Sequence, residues 1–109
     1  MVGFRAQRMK SKKIRDAARG EECTVELHPY CCGDPATTVL AHAPSPRKGG
    51  SIKSPDWWGA HACSICHDIV DGRRKTDLSS EEIHRCLMRG VFRTMERLIE
   101  EGHIVIKSR

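Results

Sequence analysis

The 109-residue chain carries 19 Lys and Arg against 14 Asp and Glu, a formal charge of +5. That length allows one small domain with a limited apolar core, and no apolar run approaches the length of a membrane-spanning helix, which excludes a helical membrane protein. The positive balance suits a polyanionic partner such as nucleic acid.

The first twenty residues, MVGFRAQRMKSKKIRDAARG, are charged throughout and lack the apolar stretch of a secretory signal, so a cytoplasmic location with no membrane partner is expected. In that reducing setting, the six cysteines point to metal ligands or buried thiols rather than a disulfide framework.

Residues 1–12 read as a flexible basic arm preceding a single domain over residues 13–109. Lys13 to Gly20 reads as a short helix, with Gly20 as its stop. Cys23 is followed by TVEL, whose alternation predicts a strand, and HPYCCGDPA is turn-rich. TTVLAHA predicts a second strand, expected to pair with the first as a hairpin. Pro44 to Pro55 reads as a surface loop whose Arg47, Lys48 and Lys53 could meet phosphates. Trp57 and Trp58 are expected as anchors of the small core rather than as base-stacking residues.

CHDIVDGRRK has the composition of a short helix ending near Gly72. Ser79 to Glu101 predicts a long helix: Ser79 and Glu82 can form a capping box, and Ile83, Leu87, Val91, Met95, Leu98 and Ile99 share one face. Gly102 stops it, and the alternating tail HIVIK predicts an edge strand.

Cys63 and Cys66 form a Cys-x-x-Cys knuckle entering a helix. With Cys23 and Cys31, they could supply four thiolates to one tetrahedral zinc, which in so small a core would be part of folding. Cys32 competes with Cys31 for the fourth place, with Cys31 favoured; Cys86 reads as a buried thiol on the long helix. His67 and Asp71, four apart, fall on one helical face within reach of a shared cation. His42 closes the strand TTVLAH. His28, His61, His84 and His103 receive no role.

Two cysteines, a strand ending in His, a Gly-bearing loop and Cys-x-x-Cys-His entering a helix together resemble the HNH-type ββα-metal nucleases. The segments ARGEEC, TTVLAH, ACSICHDIVDGRRK, TDLSSEE and GVFRT are similar to the YbcO family of prophage-encoded proteins, whose nuclease function is largely inferred from their fold. The resemblance covers residues 13–102 and implies a small α+β, zinc-stapled ββα-metal (HNH-like) domain with a long C-terminal helix.

It further implies a metal-dependent endonuclease hydrolysing DNA phosphodiester bonds, in phage DNA recombination or processing. His42 would be the general base and His67 a ligand of a catalytic divalent ion, Mg²⁺ or Mn²⁺, while Cys23, Cys31, Cys63 and Cys66 match the structural zinc ligands. Asp71 fits a second ligand of the catalytic ion, and Asp56 is the alternative. Arg73, Arg74 or Lys75 could clamp the phosphate.

The main alternative is a zinc-stapled nucleic-acid-binding or adaptor module without cleavage. Cys63-Ser-Ile-Cys66-His67 also satisfies the haem c attachment pattern, but the missing export signal argues against haem. A thioredoxin-like redox site is disfavoured because no strand of a βαβ unit precedes the motif. The sequence does not specify oligomeric state.

Overall fold

The computed structural model describes residues 10–44 and 54–107. The loop residues Arg47, Lys48 and Lys53 lie outside them, as does the basic arm up to residue 9.

Helix α1 spans Lys12–Asp16, and the Ser11 hydroxyl accepts the Ile14 N–H at its start. It is shorter than the helix expected up to Gly20, and the chain continues to Gly20 as turns. Ile14 and Ala18 are buried beneath it.

A two-stranded antiparallel sheet follows, built from β1 (Val39–His42) and β2 (Gly59–Ala62), with Leu40 opposite His61 and His42 opposite Gly59. Single 3₁₀ turns at Pro35–Thr37 and Asp56–Trp58 lead into the two strands. Helix α2 (Ser64–Val70) leaves the end of β2 directly, and α3 (Ser80–Glu100) packs across β2. The molecule is therefore a small α+β protein with a two-stranded sheet and a long C-terminal helix.

The sheet differs from the expected pairing. TVEL forms no strand, because Glu26 adopts φ +52° and the chain there turns around sulfur: the N–H groups of Glu26 and Leu27 point at Cys23 Sγ (3.5 Å) and Cys66 Sγ (3.4 Å). Thr24, Val25 and Leu27 are all buried, so the alternation marks no solvent-facing side. Its backbone link to the sheet is the Thr24 N–H donated to the His61 carbonyl at 2.7 Å.

The true partner of β1 is GAHA, a segment with no β-branched residue. All four of its residues are buried, and its small side chains let α3 approach closely. A Cβ added at Gly90 of α3 would lie 3.1 Å from Ala60 Cβ and 3.0 Å from Val25 Cγ2. A hydroxyl cluster ties the layers together: Thr24 Oγ1 lies 3.0 Å from Thr94 Oγ1, which itself accepts the His61 N–H at 3.0 Å.

Helix α3 begins as expected, with the Ser79 hydroxyl accepting the Glu82 N–H at 3.1 Å. Its buried face comprises Leu87, Gly90, Val91, Thr94 and Leu98. Gly102, at φ +81°, ends it in a Schellman turn: His103 N–H bonds to Leu98 O and Gly102 N–H to Ile99 O. The edge strand expected for HIVIK does not form. The amides of His103 and Ile104 both return to the Leu98 carbonyl, drawing the tail back to the helix end.

Among the described residues, no helix is long and apolar enough to cross a membrane. Trp58 packs against the core, which centres on Val25, Leu27, Ala41, Ala60, Ala62, Ile69, Leu87 and Val91.

Candidate active site

The clearest site is a cluster of sulfurs. The Sγ atoms of Cys23, Cys31, Cys63 and Cys66 all lie within 4.8 Å of one another, and Cys31 Sγ is 3.8 Å from Cys63 Sγ. A tetrahedral zinc with Zn–S bonds of about 2.3 Å requires S···S edges of about 3.8 Å, so the four thiols fit that ion. Cys63 caps α2, and its sulfur accepts the Cys66 N–H.

The backbone amides of Glu26, Leu27 and Cys66 thus point towards negative sulfur. Cys32 is exposed, with its sulfur 3.8 Å from Thr37 Oγ1, and is not one of the four that gather within 4.8 Å.

The electrostatics of the cluster also suit a cation. The Cys66 thiol and surrounding backbone amides favour the thiolate of Cys23 and lower its pKa. Hydrogen bonding to that thiolate and burial push the Cys66 thiol up, while burial and then the charge of Cys23 push Cys31 up. Packed thiols tolerate one negative charge among themselves, and a divalent ion lets all four ionise. These residues could hold a metal ion such as zinc.

A second arrangement lies at the end of β1. His42 Nε2 is 2.8 Å from Asp56 Oδ1, and the Asp56 side chain is buried while His42 is partly exposed. The other carboxylate oxygen accepts the Ser11 N–H, and Arg15 Nε lies 3.4 Å from it. The carboxylate accepts from Ser11 and faces Arg15, so His42 presents Nε2–H to Asp56, and in the neutral ring the lone pair then lies on Nδ1.

A third group sits on α2. His67 Nε2 is 3.2 Å from Asp71 Oδ2. Asp71 is the helix C-cap, and Gly72, at φ +79°, ends α2 in a Schellman turn to Asp68 and Ile69 carbonyls. The early stop therefore leaves the His67–Asp71 contact intact. Arg73 extends across it: its NH2 is 2.9 Å from Asp71 Oδ2, 3.3 Å from His67 Nδ1 and 3.3 Å from Asp68 Oδ1. The Arg74 N–H returns to the Asp68 carbonyl, placing Arg74 in the same turn.

The structure thus gathers the expected residues into three groups: the cysteines, His42 with Asp56, and His67 with Asp71 and Arg73. Asp56 contacts His42 rather than the α2 pair. Ser11 and Arg15, which hold Asp56, were not singled out by sequence reasoning; a contact across 45 positions leaves no local pattern. His61 received no role, yet it is fully buried, with Nδ1 2.8 Å from Arg97 NH1 and no hydrogen-bond partner at Nε2 among the described residues. The histidine within a fully buried run of small residues was its only signal.

A small α+β fold with a four-cysteine cluster that could hold a metal ion is the class these features define. The chain belongs to the YbcO family: the family model described as "Putative nuclease YbcO" matches residues 12–103. "Putative nuclease YbcO" of Escherichia coli (strain K12) is 40% identical over 96 residues, covering 87% of this chain and 97% of that protein. "Putative nuclease ybcO" of Enterobacteria phage 82 matches with the same identity and coverage.

A solved structure described as "Structure of a putative bacteriophage protein from Escherichia coli str. K-12 substr. MG1655" superposes with a TM-score of 0.68 at 40% identity. The match covers 83% of this chain and all of that one.

Proposed function

We propose that the protein is a metal-dependent endonuclease that hydrolyses DNA phosphodiester bonds, built on an HNH-like ββα-metal unit of β1, β2 and α2. The observation that carries this reading is the His42–Asp56 pair, an accessible imidazole held by a buried carboxylate at 2.8 Å. The relatives' description as "Putative nuclease" supports the reaction class, and a relative encoded by phage 82 is consistent with the phage setting in which a role in DNA recombination or processing is proposed.

Asp56 fixes the ring, and Nδ1 of His42 takes a proton from water as its oxygen attacks phosphorus in line with the leaving oxygen. The P–O bond to that leaving oxygen breaks. A divalent ion such as Mg²⁺ or Mn²⁺ on His67 and Asp71 would stabilise the charge on phosphate and leaving oxygen. Two side chains make a partial shell of the kind such ions complete with water and phosphate oxygens. Cys23, Cys31, Cys63 and Cys66 would hold the structural zinc that fixes α2 against the sheet.

DNA would be gripped by the basic residues Arg47, Lys48, Lys53, Arg73 and Arg74 through sequence-independent phosphate contacts that weaken with salt. For Arg73 that role requires release from Asp68 and Asp71.

One observation favours a second reading, a zinc-stapled nucleic-acid-binding module without cleavage. Both ring nitrogens of His67 are engaged, by Asp71 and by Arg73, and the Arg73 guanidinium lies where a catalytic cation would draw on the same two side chains. Incubating the zinc-loaded protein with plasmid and single-stranded DNA in Mg²⁺, Mn²⁺ or EDTA separates the two. Divalent-dependent nicking supports the nuclease; binding without cleavage in any metal supports the second reading.

A further inference from the structure

Beside its buried face, α3 carries an apolar row that the fold covers only in part: Met88 and Met95 pack against the core, while Phe92 and Ile99 stand out from it. Met88, Phe92, Met95 and Ile99 are spaced four, three and four residues apart, the spacing of a helix-pairing seam. Phe92 is 61% exposed and Ile99 is also exposed, while Met88 and Met95 are half-buried along the row. An exposed Phe flanked by two Met is the composition of an interface core rather than of a solvated helix face.

The charges beside the row say what covers it. Arg85 and Arg89 precede Phe92, and Glu96 and Glu100 follow it; all four are exposed. When a helix pairs antiparallel with its own copy, residues equidistant from one centre face each other across the two-fold axis. The midpoints of Met88–Ile99 and Phe92–Met95 both fall between residues 93 and 94. The midpoints of Arg85–Glu100 and Arg89–Glu96 both fall between residues 92 and 93. Apolar row and flanking charges therefore share a two-fold centre to within one residue. Antiparallel pairing sets Arg against Glu at every flanking position, whereas a parallel pair would set like charges together.

We infer that α3 is the interface of a homodimer, in which a second copy of this chain packs antiparallel on Met88, Phe92, Met95 and Ile99. The Arg85–Glu100 and Arg89–Glu96 pairs, each formed twice, fix the register. The inference is independent of the nuclease reading. The row is about 17 Å long, so the association is modest, with a dissociation constant on the order of 10 µM.

The test is sedimentation of the full-length, zinc-loaded chain over a concentration series reaching roughly 300 µM, well above that constant. Reversible monomer–dimer behaviour is expected, and a chain monomeric throughout overturns the inference. Phe92→Glu should weaken association by about 100-fold or more, with zinc content and helicity unchanged; undiminished dimerisation overturns it. Ile99→Lys serves the same purpose if the first variant does not fold.

The register is tested at Arg85 and Glu100, because Arg89 also donates to the Val25 carbonyl at 2.9 Å. Arg85→Glu and Glu100→Arg should each self-associate about 10-fold more weakly than the wild type. Mixing the two single variants should restore a heterodimer, since each then supplies the charge the other lacks. A mixture no tighter than either variant alone overturns the antiparallel arrangement.

Discussion

Asp56 holds His42. The carboxylate is buried, sits 2.8 Å from the imidazole Nε2, and is itself fixed by the Ser11 amide at the start of α1. The proposed base is thus braced by α1, a part of the chain with no proposed role in the chemistry.

Asp56→Asn keeps a carbonyl oxygen near the imidazole but removes the charge that Arg15 and the Ser11 amide face. The variant should cleave DNA about 10- to 100-fold more slowly, with DNA affinity and zinc content retained. Single-turnover cleavage beside a binding titration checks this. Equal loss of binding and cleavage would make Asp56 a fold residue only.

Cys63→Ser removes a proposed zinc ligand that also caps α2. Zinc content should fall and the melting temperature should drop by at least about 10 °C. Cys32→Ser, whose sulfur faces Thr37, should change neither quantity. A folded, metal-free Cys63 variant would contradict the four-cysteine site.

His61 makes the fold sensitive to acid. Burial, then the charge of Arg97 and then that of His103, lowers its pKa from 6.5 to about 4. Above pH 6.5 the imidazole is neutral in both the folded and unfolded chain, and its contribution is complete. As pH falls from 6.5 towards 4, the unfolded chain binds a proton that the folded chain refuses, so stability drops by about 3 kcal/mol across that window. Denaturant unfolding of the zinc-loaded protein at pH 7 and pH 5 should show a smaller loss in His61→Gln than in the wild type. Equal losses in both would remove His61 as the cause.

Gly90 sets the distance between α3 and the sheet. Gly90→Val brings a branched side chain against Val25, Ala60 and Thr24, where even a Cβ already meets atoms at 3.0 to 3.1 Å. A destabilisation of about 2 kcal/mol or more is expected from overpacking. Gly90→Ala should cost less, because better helix propensity offsets part of the strain. Chemical denaturation of both variants checks the order.

What was legible in the sequence was local. The Ser79 cap, the stops at Gly72 and Gly102, and the Cys63–Cys66 knuckle each depend on residues within one turn of one another, and all stand as expected. TVEL was misread because a loop wrapped around sulfur can bury alternate apolar side chains as a strand does. GAHA went unnoticed because its pairing rests on burial beneath α3, not on its own propensity. Of the candidate site, the cysteines and the His67–Asp71 pair were visible as spacings. The link from Asp56 to His42 depends on how the chain re-enters the sheet, and no spacing encodes it.

The central claim is that His42 is the base. Its most direct test is single-turnover cleavage of plasmid DNA in Mg²⁺ or Mn²⁺ by the wild type and His42→Ala at equal zinc content. Cleavage by the wild type that falls by about 100- to 10,000-fold in the variant, with binding and folding unchanged, is the predicted result. Unchanged cleavage in His42→Ala would contradict the mechanism.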